Sequence, residues 1–140
     1  MAQGDGVLYN EFKEELFKGL IDLDGHTFKA MLVTGYTPNI DSHNGYSDVS
    51  GVEESGTGYT AGGATLASLT ITKNTTNDRA EWDAADVTWT GLNVGTPSHV
   101  IVYDDSHAGK CLIGYWELTT ASNGGNYTLQ WGSAGLVTLT

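Results

Sequence analysis

The stretch from Asn77 to Trp89, NDRAEWDAADVTW, constrains the fold more than any other part of the chain. Ala80 and Trp82 follow period two, and so do Val87 and Trp89 beyond the polar step Asp83-Ala84-Ala85-Asp86. That pattern predicts two half-buried strand pieces joined by a bulge or turn. A buried indole removes roughly 150–250 Å² of surface from water, so two of them this close mark a core or an interface. Arg79, Trp82, Asp86 and Trp89 are the expected structural anchors. The Arg79 guanidinium is expected to pair with Asp78, Asp83 or Asp86 and to stack on Trp82.

The rest of the chain is punctuated as a turn-rich β protein. Nineteen glycines stand in 140 residues, against only two prolines, and glycine serves the tight connections of short antiparallel strands. Strands are expected over 27–34 and 64–73, over 98–104 (SHVIVYD, the most apolar and so the central one), over 110–118, within 126–131 and over 136–139. Asn123-Gly124-Gly125 is a strong turn signal. The expected fold is mainly β, a β-sandwich or Greek-key barrel of about seven to nine strands with one short N-terminal helix. A chain of this length forms one domain, 1–140.

The helix is expected over about 7–19, capped by Asp5 or Asn10 and stopped at Gly19. Leu8, Phe12, Leu16 and Leu20 recur at i, i+4 with Phe17 beside them, while Glu11, Glu14, Glu15 and Lys18 take the other face. The apolar stripe covers one end of a β core or binds a partner. Residues 35–58 read as a long polar loop with a short strand at Tyr46–Val49, and ordered loops of that length are where contacts are often made.

Seventeen acidic residues against six basic give a net charge of −11. A phosphate-tracking surface needs clustered Lys and Arg, so nucleic acid is excluded as a partner, and an anionic membrane is disfavoured on the same ground. Cys111 is the only cysteine, and in the apolar run KCLIGYW it reads as a buried, inert thiol. The start, MAQGDGVLYNEF, has neither a basic n-region nor an apolar h-region, so no secretory signal is expected and the two sequons at Asn74 and Asn126 read as chance matches. No apolar run approaches the ~20 residues that span a bilayer.

Several constellations invite a chemical reading. Gly56-Thr57-Gly58-Tyr59-Thr60-Ala61 fits a loose dinucleotide fingerprint, but a β-alternating segment follows where a helix is required. Asp22-Leu23-Asp24-Gly25 and Asp41-Ser42-His43-Asn44-Gly45 hold closely spaced oxygens, yet neither has the six to eight ligands that calcium takes, and turn closure explains both. The four histidines, His26, His43, His99 and His107, show no metal-binding spacing, although His99 and His107 could meet across a hairpin. Asp104, Ser106 and His107 suggest a hydrolase, but no nucleophile elbow accompanies them, and Gly132-Ser133-Ala134-Gly135 lacks its spacing. Trp82, Trp116 and Trp131 are expected to point inward, which leaves a sugar-stacking platform as the lesser alternative to core packing. No catalytic, cofactor-binding or metal residue is assigned, and no cofactor is expected.

The order of segments carries a resemblance. A short helix is followed by GLIDLDGHTFKAMLVTGYTPNIDSHNGYSDV (19–49), TGYTAGGATL (57–66), NDRAEWDAADVTW, CLIGYWEL (111–118) and NYTLQWGSAGLVTLT (126–140). Together these resemble a family of small structural proteins of tailed-bacteriophage virions, some of them capsid cement or decoration proteins. The resemblance implies a non-enzymatic protein on the outside of the icosahedral head. Its implied partners are the major capsid protein and copies of itself, as homotrimers or homodimers, and its location is the virion after assembly in the host cytoplasm. Under that reading the expected contacts are Phe12, Leu16 and Phe17 on the helix and Tyr36, Asp41, His43 and Tyr46 in the long loop. The alternative is a tail, fibre or baseplate component that binds the host surface, through carbohydrate among other ligands.

Overall fold

A computed structural model of the chain describes residues 3–140. Ten strands and two short helices follow one another: β1 (Val7–Leu8), α1 (Asn10–Phe17), β2 (Phe28–Val33), α2 (Tyr46–Val49), β3 (Ala64–Thr65), β4 (Thr70–Asn74), β5 (Arg79–Asp83), β6 (Val87–Trp89), β7 (His99–Asp104), β8 (Leu112–Glu117), β9 (Tyr127–Leu129) and β10 (Val137–Leu139). All strand pairings are antiparallel. The fold is mainly β, as the sequence predicts. Of the two architectures expected, the closed barrel falls, because the strands form open sheets of five, three and two members.

The five-stranded sheet has the order β1-β8-β7-β2-β3, with β7 in the middle. Every residue of β7 is buried, as the unbroken apolar run of SHVIVYD predicts for a strand covered on both faces. On one face Val100 and Val102 join Phe28, Ala30 and Leu32 in a core that also takes Trp82, Trp89, Trp116, Trp131, Leu129 and Val137 from the other strands and turns. On the other face Ile101 and Tyr103 pack with Met31, Val33, Tyr9, Tyr36 and Val49. The register of β7 and β8 slips between Val102 and Tyr103, so that Gly114 faces Val102 and Leu112 faces Tyr103. The slip is a bulge at Ile113.

The central stretch behaves as its spacing requires. Arg79–Asp83 joins β4 and β10 in the three-stranded sheet, and Val87–Trp89 joins β9 in the two-stranded one. The polar step between them hands the chain from one sheet to the other. Asp83 accepts the Ala84 N–H at 2.8 Å, and Asp86 accepts the Trp131 N–H at 3.2 Å. Trp82 donates its indole N–H to the Leu23 carbonyl at 2.7 Å and meets Phe28 edge-on, with 4.9 Å between ring centroids.

The structure departs from the sequence reading at four places in this fold. The helix expected over about 7–19 runs over Asn10–Phe17, because Val7–Leu8 pairs with β8 as a strand. Tyr46–Val49 is a helical turn where a strand was expected. The Asp48 carboxylate accepts the N–H groups of Asn44 and Gly45 at 2.9 and 3.0 Å, which closes the chain into a turn. The single strand expected over 64–73 is broken into β3 and β4, with Ser68 at a positive φ of 54° between them. Arg79 does not pair with Asp78, Asp83 or Asp86: its Nε donates to Glu81 at 2.8 Å, the same-face neighbour two residues along the strand. Residues i and i+2 of a strand are the nearest neighbours on one face, whereas Asp83 is two residues further along that face and Asp78 and Asp86 lie outside β5.

Candidate docking surface

Helix α1 begins without a side-chain cap. Its N-cap is Tyr9, in extended conformation, and Asn10, the first helical residue, turns its amide to the Asp41 carboxylate instead. The helix ends where Gly19 takes a φ of +73°, and the Leu20 N–H reaches back to the Glu15 carbonyl at 3.0 Å. Only a residue tolerant of the left-handed region closes a helix this way at no steric cost.

The apolar stripe of α1 is split between core and solvent. Phe12 is 1% exposed, Leu16 is half-buried, and Phe17 is 92% exposed. Leu8, Phe12, Lys13, Leu16, Phe17 and Leu139 line an open groove of about 250 Å³ whose walls are almost wholly apolar. Leu139, half-exposed at the end of β10, also lines a smaller apolar dimple with Leu23, Ile71, Ala80, Trp82 and Val137. The two hollows therefore meet at one side chain. An uncovered phenylalanine thus stands beside an apolar groove on a chain of net charge −11.

The polar face of α1 departs from the expected pattern at Glu15. This carboxylate is buried against the β7–β8 hairpin, where it accepts a hydrogen bond from His107 at 2.8 Å and one from Lys18 at 3.2 Å. The His107 contact holds the Glu15 carboxyl below its ordinary range against the opposing effect of burial.

The long loop is a packed cover over the second face of the central sheet. Tyr36 is buried; its hydroxyl meets Tyr9 at 2.8 Å and His43 at 2.8 Å. Tyr46 is half-buried and donates to Glu53 at 2.5 Å, which pushes its phenol up to about 12. Glu53 also accepts from Tyr59 at 2.8 Å and from the Gly62 N–H at 2.6 Å. Asp41 alone of the four named loop residues lies fully at the surface. The structure thus gathers Phe12, Leu16 and Phe17 into one groove, places Asp41 at the start of the same helix, and turns Tyr36 inward. Leu139 was missed, because an alternating C-terminal strand gives no sign of which leucine ends beyond its neighbours.

The remaining constellations disperse. His99 faces Glu117 across β7 and β8, whereas His107 lies beyond the far end of that pair, so the two do not meet. Asp104 is fully buried and contacts His26 at 2.6 Å, while Ser106 accepts the Thr27 N–H at 2.8 Å. Asp104 at the end of β7 and Ser106 and His107 just after it therefore lie close together without lining up as a triad. Gly58 lies so close to residue 91 that a Cβ would stand 2.4 Å from the Gly91 carbonyl oxygen, and β3, not a helix, follows. Burial pushes the Cys111 thiol up to about 12. Among the described residues no group of three or more His, Cys, Asp or Glu side chains is arranged to hold a metal ion. All four tryptophans are buried. No helix among the described residues is long and apolar enough to cross a membrane. No family model, curated protein or solved structure matches the chain.

Proposed function

We propose that this chain is a structural protein of a bacteriophage virion that binds the outside of the icosahedral head and stabilises it, docking through the α1 groove. The observation that carries the docking is the exposed Phe17 beside the apolar channel of Leu8, Phe12, Leu16 and Leu139. The segment order supplies the more specific assignment to a cement or decoration protein, with the major capsid protein as the partner. An assembly protein needs a packed scaffold and an apolar surface for contact, and the β core and the α1 groove support that reading. Many copies on a symmetric lattice add weak contacts into a strong total, and binding only the mature shell shifts that shell's stability by linkage. The net charge of −11 suits a capsid surface with a basic or mixed character.

The host-binding alternative has less support, since the buried tryptophans offer no exposed indole for a sugar ring to stack on. The test is to disrupt purified virions that carry this chain, separate heads from tails, and count copies by quantitative mass spectrometry. The proposal expects hundreds of copies per head and none on tails. A few copies confined to the tail fraction overturn it.

A further inference from the structure

The long loop leaves β2 and returns to it. Thr34 donates its N–H to the Val52 carbonyl at 2.9 Å, and Glu54 donates its N–H to the Leu32 carbonyl at 2.8 Å. Between them Val33 and Glu53 face each other in an antiparallel bridge. These contacts close the two ends of residues 35–51 on each other. The returning segment is also held on its far side, where Thr57 bridges to Asn93 and accepts its N–H at 2.8 Å. Tyr36 and Val49, which the loop sets into the second core, are kept there by this closure.

A carboxyl group sits at the closing point without the partners it needs. Glu54 is 8% exposed, and its Oε1 is buried with no hydrogen-bond partner among the described residues. Buried polar atoms are nearly always paired, and an ionised carboxyl in dry surroundings is costly. No cation offsets that cost: residues 32–34, 55–58 and 91–98, which the closure brings together, contain no ionisable side chain. The adjacent Glu53 turns its carboxylate to the Tyr46 and Tyr59 hydroxyls and the Gly62 N–H. His99, opposite Val33 on β7, packs against Tyr36 and Tyr115. Burial pushes the Glu54 carboxyl above its ordinary range, against the opposing effect of hydrogen bonds from Thr34 and the Ser55 N–H.

We propose that Glu54 is a proton-operated clasp on the long loop: as the neutral acid it keeps the loop ends together, and as the carboxylate it lets them part. A group that holds its proton more tightly in the closed state makes that state firmest below its ordinary pKa. The advantage is lost as pH rises through the closed-state value. The direction is opposite to that of Glu15, whose contact with His107 favours the carboxylate. Opening uncovers Tyr36 and Val49 and frees the main chain of residues 32–34, while the pairing of β7 with β8 stays intact. Local openings of this kind cost less than global unfolding. The clasp does not rest on the docking reading and is tested on the chain alone.

The experiment is a nuclear magnetic resonance series on the full chain from about pH 4 to about pH 8. Amide protection, corrected for intrinsic exchange, is read at Thr34 and Asn93, which donate across the closure, and at Ile101 in the buried β7. Carbon-13 shifts of the Glu54 carboxyl give its titration midpoint in the same samples. The expected midpoint lies above 4.5. Protection at Thr34 and Asn93 falls at least about threefold as pH rises through it, with Ile101 unchanged. Glu54→Gln, which keeps the shape and removes the ionisation, makes protection at both amides independent of pH. A midpoint at or below 4.5 overturns the proposal. So does protection at Thr34 and Asn93 that stays flat in the unsubstituted chain, that falls in parallel with Ile101, or that falls equally in Glu54→Gln.

Discussion

His107 Nε2 stands 2.8 Å from Glu15 Oε2, and the contact ties helix α1 to the loop between β7 and β8. The hydrogen bond favours the ionised carboxyl, so the folded pKa of Glu15 lies below its unfolded value of 4.5. A depressed folded pKa means that the stabilisation is complete above the unfolded value and is lost as pH falls through the folded one. Glu15→Gln therefore flattens the acid limb of the stability profile below about pH 4.5. Thermal melts of both proteins across that range check this. Parallel acid limbs would contradict it.

The tyrosine chain beneath the long loop predicts an asymmetry. Tyr9→Phe removes one hydroxyl and leaves Tyr36 still bonded to His43. Tyr36→Phe strands the Tyr9 hydroxyl, whose ring is fully buried. Losing a hydrogen bond costs about 1 kcal/mol, whereas leaving a buried group without a partner costs about 1–3 kcal/mol. Urea unfolding is expected to rank Tyr36→Phe as the more damaging change.

Gly63 has a φ of +84°, and a Cβ there would sit 2.1 Å from the Ala30 carbonyl oxygen. The obstacle is backbone of β2, which cannot step aside without opening the β2–β3 pair. Gly63→Ala is expected to cost more than about 1 kcal/mol. At Gly95 the φ is +83° but nothing lies within 4 Å, so Gly95→Ala should cost less, and comparing the two by chemical denaturation separates backbone clash from conformational strain.

Phe17→Asp separates docking from folding. The side chain is 92% exposed, so stability should change by no more than about 0.5 kcal/mol. Occupancy on heads should fall sharply, because an apolar anchor at the centre of a contact is worth about 2 kcal/mol or more. Unfolding curves and quantitative gel analysis of particles read the two effects.

The β class, the central position of β7 and the break between Trp82 and Trp89 were legible because period-two patterning and unbroken apolar runs report burial directly. Strand partners were not: Asn123-Gly124-Gly125 signals a turn, but nothing in it says that β9 leaves β8 and pairs with β6. The helix at Tyr46–Val49 depends on one carboxylate reaching two backbone N–H groups, a contact that alternation cannot encode. Glu15 reads as a solvent-facing charge by spacing, and only the loop carrying His107 buries it. At the candidate site, Phe12, Leu16 and Phe17 were visible as a stripe. Which of them is covered depends on where the helix lies against β8, far along the chain.

Cryo-electron microscopy of intact virions carrying this chain would place the protein on the particle. Density is expected at local symmetry axes on the outside of the head, with Phe17 and the α1 groove seated against the major capsid protein. Density found only at the tail, or on the head with α1 turned to solvent, would contradict it.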